Sequence, residues 1–573
     1  MNIYPKGSGF SRMLLAGALA LGASSCVYID NTLGSNFIPT DQLFDIYQTE
    51  YKLEDINVAY CDSLSGFSSS RITIGAVRDG AGTGKLTTRS SSFTLIPLSE
   101  EMDFGKDPEF RQFHLTASRD TLSYPKESEA NILQNIYAKE ILKDLGSKYI
   151  YTSSGYRMEK DGVIGNDIIA RTVYSGGDSL SLDFSAAFGQ KYIDVLSEKF
   201  KSMDSLESYT RELPGIYLYC DEPVGNNSGR INMFNLPLEV TDSYLVTGCF
   251  AELKFSSEYE GERKDTSFLF YFGAQSLTYS SSVSQYALNL CSEEGYNPDS
   301  PEANIIKAGT TIDVQGGGGT KPVVSAKEIR DLLCAEFRDK GIDSSDVIIN
   351  KASLVFPFAD PAFELKSIYP TMLSPTCKLD SEIQATGEGT ENTHSVYYAG
   401  LTDASVSSEN QGDVNWSTSE YAPDITHHVQ EIIKMAPDAD FHERDIWLLI
   451  LATETVTETT DNSAMNDYLQ NLAYYNYYNN MYGYGNYGYG YGYGYGGYYD
   501  YSNYYNYYYM AAMMSNASQE STSSSAQLDK DRFYVCTLNG PEHEEAGASA
   551  DAPLSARRVP MLKVTYSVPK SAE

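Results

Sequence analysis

Apolar positions along this chain alternate with polar ones far more often than they recur at helical spacing. Short runs of period two, separated by Gly, Ser, Asn and Asp, put successive side chains on opposite faces of a strand. Arg71-Ile72-Thr73-Ile74-Gly75 is the clearest, within a strand-rich stretch from Ile56 to about Leu98. Gly215–Cys220, Arg230–Leu236, Tyr244–Phe255 and Ser267–Phe272 follow with turn residues between them, the pattern of an antiparallel meander. Val347–Phe358, Asp445–Thr457 and Val559–Val568 read as three longer strands. Helical spacing is rarer. Ser325 and Glu328 form a capping-box pair ahead of Ile329, Leu332, Leu333 and Phe337 on one face, with Gly341 as the stop. Tyr192–Leu206 carries Tyr192, Val195, Leu196, Phe200 and Met203 on one face, and Ile425–Ile433 is a short helix. Ala130–Leu145 reads as a helix ended by Gly146, with strand as the alternative for its middle. The expected class is mainly β with a few helices, a β-rich α+β chain of antiparallel β-sandwich-type domains.

The N-terminus has the three parts of an export signal. Lys6 and Arg12 are basic, Met13 to Leu21 is apolar but for Gly17, and Ala23-Ser24-Ser25 leads small residues up to Cys26. The apolar run is shorter than the ~20 residues a membrane helix needs. Residues 1–25 therefore read as a lipoprotein signal peptide, with Cys26 the sulfur that takes the lipid. Ala23 stands where Leu is commoner, a relaxed form that resembles Bacteroidetes-type lipoproteins. Val27 follows the cysteine without an acidic run, so the expected location is the outer membrane, lipid-anchored and facing the periplasm, with display at the cell surface as the alternative. Residues 26–50 read as anchor and tether, and 51–315 as an N-terminal β-rich domain or domains. Gly316–Gly319 reads as a flexible break, and 320–568 as a C-terminal sandwich-like domain. Within that last domain, 458–556 reads as a disordered Tyr/Gly-rich insertion, because rings on a glycine backbone cannot build a packed core.

Composition narrows the partners. The formal charge of −35 becomes −37 once Lys6 and Arg12 are removed, which repels nucleic acid and anionic headgroups. Beyond Cys26, seven cysteines remain, an odd number without a CxxC, so neither a fully paired disulfide framework nor a cysteine-pair zinc knuckle is expected. An isolated bridge such as Cys220 to Cys249 stays open. Gly80-Ala81-Gly82-Thr83-Gly84-Lys85 fails as a phosphate loop: Asp79 replaces the first glycine and Leu86 the magnesium-binding hydroxyl. It reads as a hairpin turn, and no nucleotide is expected. His427, His428, Glu431 and His442 cluster without a zincin interval, so no metal is expected. No nucleophile elbow and no distinct carboxylate dyad stands out. No cofactor and no enzymatic activity are expected. Asp-Ser/Thr-Leu triplets place four candidate O-glycosylation acceptors at Ser63, Thr121, Ser179 and Ser205, a pattern resembling that of Bacteroidetes-type periplasms.

Five motifs in order resemble an uncharacterised Bacteroidetes lipoprotein family, domain of unknown function forty-two-seventy. They are Leu33-Gly34-Ser35-Asn36-Phe37-Ile38-Pro39, Ile74-Gly75 with Asp79, Gln134-Asn135-Ile136-Tyr137, Leu213-Pro214-Gly215-Ile216-Tyr217-Leu218 with Gly229-Arg230-Ile231-Asn232, and Pro560-Met561-Leu562-Lys563-Val564-Thr565-Tyr566. Residues 347–568 resemble β-sandwich modules of secreted surface and carbohydrate-active proteins. The pieces are Asn350-Lys351-Ala352-Ser353-Leu354, Pro423-Asp424-Ile425-Thr426 with Val429, Trp447-Leu448-Leu449-Ile450 and the closing strand. The resemblances imply a binding module and supply no catalytic residue. The expected role is non-enzymatic binding or scaffolding in the envelope, with an envelope protein or a glycan as ligand. The alternatives are an assembly factor for an outer-membrane machine and a glycan-degrading enzyme.

Overall fold

The computed structural model describes residues 44–570 apart from 62–63, 65, 69, 80–83, 98–101, 126–131, 144–160, 200–210, 226–227, 238, 241–245, 274–286, 384–392, 403–405, 407 and 459–520. Cys26, Ser63, Ser205 and the Tyr/Gly tract lie outside the described residues. The molecule is mainly β, as the alternation predicts, with antiparallel sheets and few helices.

The C-terminal sandwich packs a five-stranded sheet against a seven-stranded one. Alternation fixes both inner faces. Ile446, Leu448 and Ile450 point into the core between the sheets, opposite Leu354, Leu562, Val564 and Tyr566. Trp447 and Leu449, on the other face of the same strand, pack into a separate cluster with Cys61 and Cys291. The helix Ala326–Asp339 closes the core with Ile329, Leu333 and Phe337. Ser325 Oγ accepts from the Glu328 backbone N–H at 3.2 Å, as the capping box requires. The Glu328 carboxylate instead accepts from the backbone N–H groups of Glu54 and Asp55, at 2.8 and 3.0 Å.

Three boundaries read from sequence are corrected. The tether does not reach residue 50, because Phe44–Lys52 is a strand paired along its whole length with Met561–Pro569. Its odd positions turn inward: Tyr47 stacks on Tyr566 at 5.1 Å, and Thr49 donates to Glu336 at 3.0 Å. Phe44 and Ile46 on the outward, even positions hide this amphipathicity. The first domain does not run from 51 to 315 either. Ile56–Tyr60 pairs with Thr320–Val324, Ile305–Lys307 with Ile56–Tyr60, and Thr311–Gln315 with Val535–Asn539, all within the sandwich. Finally, 458–556 is not one disordered insertion. Ser521–Leu528 pairs with the strand Ile446–Glu458, and Phe533 to Leu538 alternates between two cores.

The N-terminal unit, residues 67–293, is thus nested inside the sandwich's chain path. Its thirteen-stranded sheet closes on itself, because the order running from Glu262–Gly273 to Leu86–Pro97 is joined by a direct pairing of those two strands. The interior is aromatic, with Phe93 stacked on Phe272 at 4.1 Å. The helix Ala186–Lys199 supplies Phe188, Tyr192, Ile193 and Leu196. The expected helix over Ala130–Leu145 is replaced by a strand, Gln134–Ile141, with Ile136 and Ala138 inside. Its apolar spacing fits both periods, and pairing with Gly215–Cys220 decides in favour of strand.

Candidate functional site

The densest polar chemistry lies buried where the two units meet. It starts at the four glycines read from sequence as a flexible break. They are buried, and they curl around one ammonium. Lys321 Nζ donates to the carbonyl oxygens of Gln315, of Gly317 at 3.1 Å and of Gly319 at 2.9 Å, which uses all three of its donors. Lys321 is 2 % exposed. Burial, with Arg89 adding to it, pushes its pKa down from 10.5 to about 8 against the pull of Glu293. Gly317 has φ +55°, and a Cβ there would stand 2.3 Å from Arg89 Nη2. The guanidinium of Arg89, from the N-terminal unit, therefore lies directly on the glycine loop of the sandwich.

Arg89 Nη1 is 3.7 Å from Glu293 Oε1, both fully buried. Glu293 also accepts from Thr87 Oγ1 at 2.5 Å and from Cys291 Sγ at 3.1 Å. Burial nevertheless raises its pKa, with Arg89, Thr87 and Lys321 opposing. A second bridge crosses the same junction. Arg71 Nε meets Asp120 Oδ2 at 3.1 Å in the N-terminal unit, and its Nη1 meets Asp531 Oδ2 at 3.3 Å in the sandwich. Around these charges, Val77, Ile231 and Met233 of one unit pack with Ile368, Phe533 and Val535 of the other. The Arg71, Arg89 and Glu293 charges are each ion-paired within the protein and buried from water. The seam therefore joins two units into one body, and its groups are out of reach of a substrate.

Residues of three of the motifs singled out from sequence, around Gly75, Gln134 and Arg230, meet in a neighbouring buried network. Gln134 Nε2 donates to the carbonyls of Ala76 and Arg230, each at 3.0 Å, from a strand three places from the first and four from the second in the sheet order. Asn232 Nδ2 donates to Gln134 Oε1 at 2.9 Å, and Arg230 Nε to Asn232 Oδ1 at 3.3 Å. A Cβ on Gly75 would come within 2.1 Å of the Arg230 carbonyl, so only glycine permits this strand approach. Those spaced motifs are one contact set.

Other candidate residues disperse. His428 is buried, its Nε2 is 2.8 Å from the Arg444 carbonyl, and burial pushes its pKa down to about 4. His427 meets Glu409 at 3.4 Å, and Glu431 meets Arg444 at 3.1 Å. Among the described residues no group of three or more His, Cys, Asp or Glu side chains is arranged to hold a metal ion. All seven described cysteines are free, so the Cys220–Cys249 bridge left open from sequence is not made. The strands on either side of Gly80–Lys85 pair as a hairpin, with Arg78 opposite Leu86. Thr121 is exposed in a turn and Ser179 is exposed at the start of a strand. The neighbouring Asp120 is the carboxylate bound to Arg71.

One arrangement was not legible in sequence. Ser181 Oγ lies 2.9 Å from His114 Nε2, and His114 Nδ1 lies 2.8 Å from Asp183 Oδ1. Slight burial pushes the Asp183 carboxyl up, but hydrogen bonds from His114 and Gln112 outweigh it and hold it below the usual range. A nucleophilic triad works in a water-excluded site with its carboxylate buried. Here Asp183 is 60 % exposed on an open sheet face. The three side chains make a cross-strand ladder of the ordinary exposed kind. Among the described residues no helix is long and apolar enough to cross a membrane. No family model, curated protein or solved structure matches the chain.

Proposed function

We propose that this chain is a lipid-anchored outer-membrane lipoprotein whose folded body serves binding or scaffolding in the cell envelope. The signal-like residues 1–25 and Cys26 support the anchor, and the ordered motifs support membership of the lipoprotein family they resemble. The observation that carries the body's role is the seam. Buried ion pairs hold two β-rich units as one piece and spend the strongest internal chemistry on that task, so the surface is left to meet partners. The described residues begin at Phe44, and seventeen residues, 27–43, separate it from the cysteine. Their reach is at most about 60 Å, enough to hold the body beside the bilayer.

Fractionation of the native host tests this. Wild-type protein is expected in the detergent-extracted membrane fraction with the mass of a diacylglyceryl adduct, and Cys26→Ser in the soluble fraction. Unmodified wild type in the soluble fraction overturns the anchor. Peptide masses from the same preparation report hexose additions at Ser63, Thr121, Ser179 and Ser205. All four unmodified would remove the glycan acceptors from the reading.

A further inference from the structure

We propose that the corner of the sandwich carrying Phe363 and Trp416 is a carbohydrate-binding platform for a neutral pyranose of a polysaccharide. The inference deepens the binding role proposed above and rests on it. Phe363 is 85 % exposed and Trp416 36 % exposed. Neither is on a loose end. Trp416 sits in a tight hairpin tip whose turn is held by Asn415 Oδ1, which accepts from Ser417 N at 3.0 Å and Ser417 Oγ at 2.6 Å. Arg558 ties the tip down, donating to Thr418 O at 3.0 Å, Ser419 O at 3.0 Å and Phe358 O at 2.7 Å. Beneath the indole lie Phe358, ring centroids 5.8 Å apart, and Tyr369, at 5.9 Å.

Phe363 opens the short 3₁₀ helix Phe363–Ile368. Three residues make a turn, so Phe363 and Lys366 share a face about 6 Å apart. Leu365 and Ile368 take a different direction and pack on the seam cluster, which fixes the helix. Lys366 Nζ sits 4.7 Å from the Trp416 ring centroid and 2.8 Å from Asp360 Oδ1. The corner therefore presents an exposed phenyl ring, a partly exposed indole, and a Lys366–Asp360 donor–acceptor pair beside the indole.

A pyranose has the matching chemistry: an apolar C–H face and a rim of hydroxyls that both donate and accept. The face would lie on Phe363, with rim hydroxyls accepting from Lys366 and donating to Asp360. A protein partner fits less well. Stable interfaces bury about 800 Å² on each side around an apolar centre. Here Ala362, Glu364, Ser367, Asn415, Ser417 and Thr418 surround the rings, all exposed and nearly all polar. The Asp360 and Glu364 carboxylates and a net charge of −35 select against uronic acids.

The test uses the full chain in a detergent without a sugar headgroup, titrated calorimetrically with hexasaccharides of β-1,4-glucose, α-1,4-glucose and β-1,4-mannose, and with hexagalacturonate. Binding of at least one neutral hexasaccharide is expected, with Phe363→Ala weakening it about tenfold. Lys366→Met should weaken it less, and Phe363→Ala should leave the unfolding midpoint unchanged, since that side chain faces solvent. No binding of any neutral hexasaccharide, binding untouched by Phe363→Ala, or equal affinity for hexagalacturonate would each overturn the proposal. So would self-association of the wild type that Phe363→Ala abolishes, which would make the corner a protein contact. Loss of the anchor in the fractionation experiment would leave this titration unaffected, so the two failures are separable.

Discussion

The ammonium enclosed by the glycine loop offers a quantitative check on the seam. Lys321 has its pKa lowered from 10.5 to about 8, so the folded chain releases that proton more readily than the unfolded chain. Between those two values the unfolded state binds more protons, and stability rises with pH; the contribution is complete above 10.5 and gone below 8. Worked from the two values, folding gains about 2.5 kcal/mol from this group between pH 7 and pH 10. Lys321→Met keeps the aliphatic stem and deletes the titration. The assay is urea unfolding of wild type and Lys321→Met at both pH values, each in a Trp416→Phe background. Trp447 is then the sole tryptophan, buried and directly opposite Val323 in the neighbouring strand. Other titrations, tyrosines included, cancel in the difference between the two proteins. Wild type should gain about 2.5 kcal/mol on the variant from pH 7 to pH 10. A difference that stays flat within 0.5 kcal/mol, about the resolution of such melts, would mean that the ammonium is as well solvated inside as outside, and the carbonyl cage would not be the dry enclosure described.

Two further substitutions probe the same junction. Arg71→Met strands Asp120 and Asp531 without their shared guanidinium, and should cost about 3–5 kcal/mol in urea melts; a loss below 1 kcal/mol, the scale of exposed pairs, would refute burial of that bridge. Gly317→Ala puts a methyl 2.3 Å from Arg89 Nη2 at φ +55° and should cost at least about 2 kcal/mol, whereas Gly177→Ala, with open space around it, should change stability by less than about 0.5 kcal/mol. Equal effects at the two glycines would remove the loop–guanidinium contact from the account.

Much of the fold was readable because one face of each long strand is continuously apolar. Ile348–Pro357, Ile446–Glu458 and Met561–Pro569 all lie within a residue or two of their expected bounds. What escaped was set by partners distant in sequence. Phe44–Lys52 looks like a polar tether until Met561–Pro569 is placed beside it. Glu328 reads as half of a local cap, yet its carboxylate holds a turn near the other end of the chain. The seam had a fainter signal. Arg89, Arg230 and Lys321 each fall on the same strand parity as a buried apolar residue, Phe93, Phe234 and Val323. A charge on a core-facing position is the mark of a buried pair, but nothing local names its partner. The Ser181–His114–Asp183 ladder depends wholly on the register of two strands and has no trace in spacing. The four glycines of the loop were misread because glycine permits both looseness and close approach, and only the ammonium inside distinguishes them.

The first strand of the body is sealed by the last. Phe44–Lys52 finds its partner at Met561–Pro569, and the nested unit is threaded between Ile56–Tyr60 and the strand Ile305–Lys307 that completes the same sheet. Met561–Pro569 lies between Phe44–Lys52 and Ile348–Pro357, so that sheet stays unfinished until this strand has been made. High sequence separation of this kind slows folding. A chain lacking Met561–Pro569 would emerge with Ile349, Leu354 and Tyr47 facing water, an open template for aggregation and an easy target for degradation.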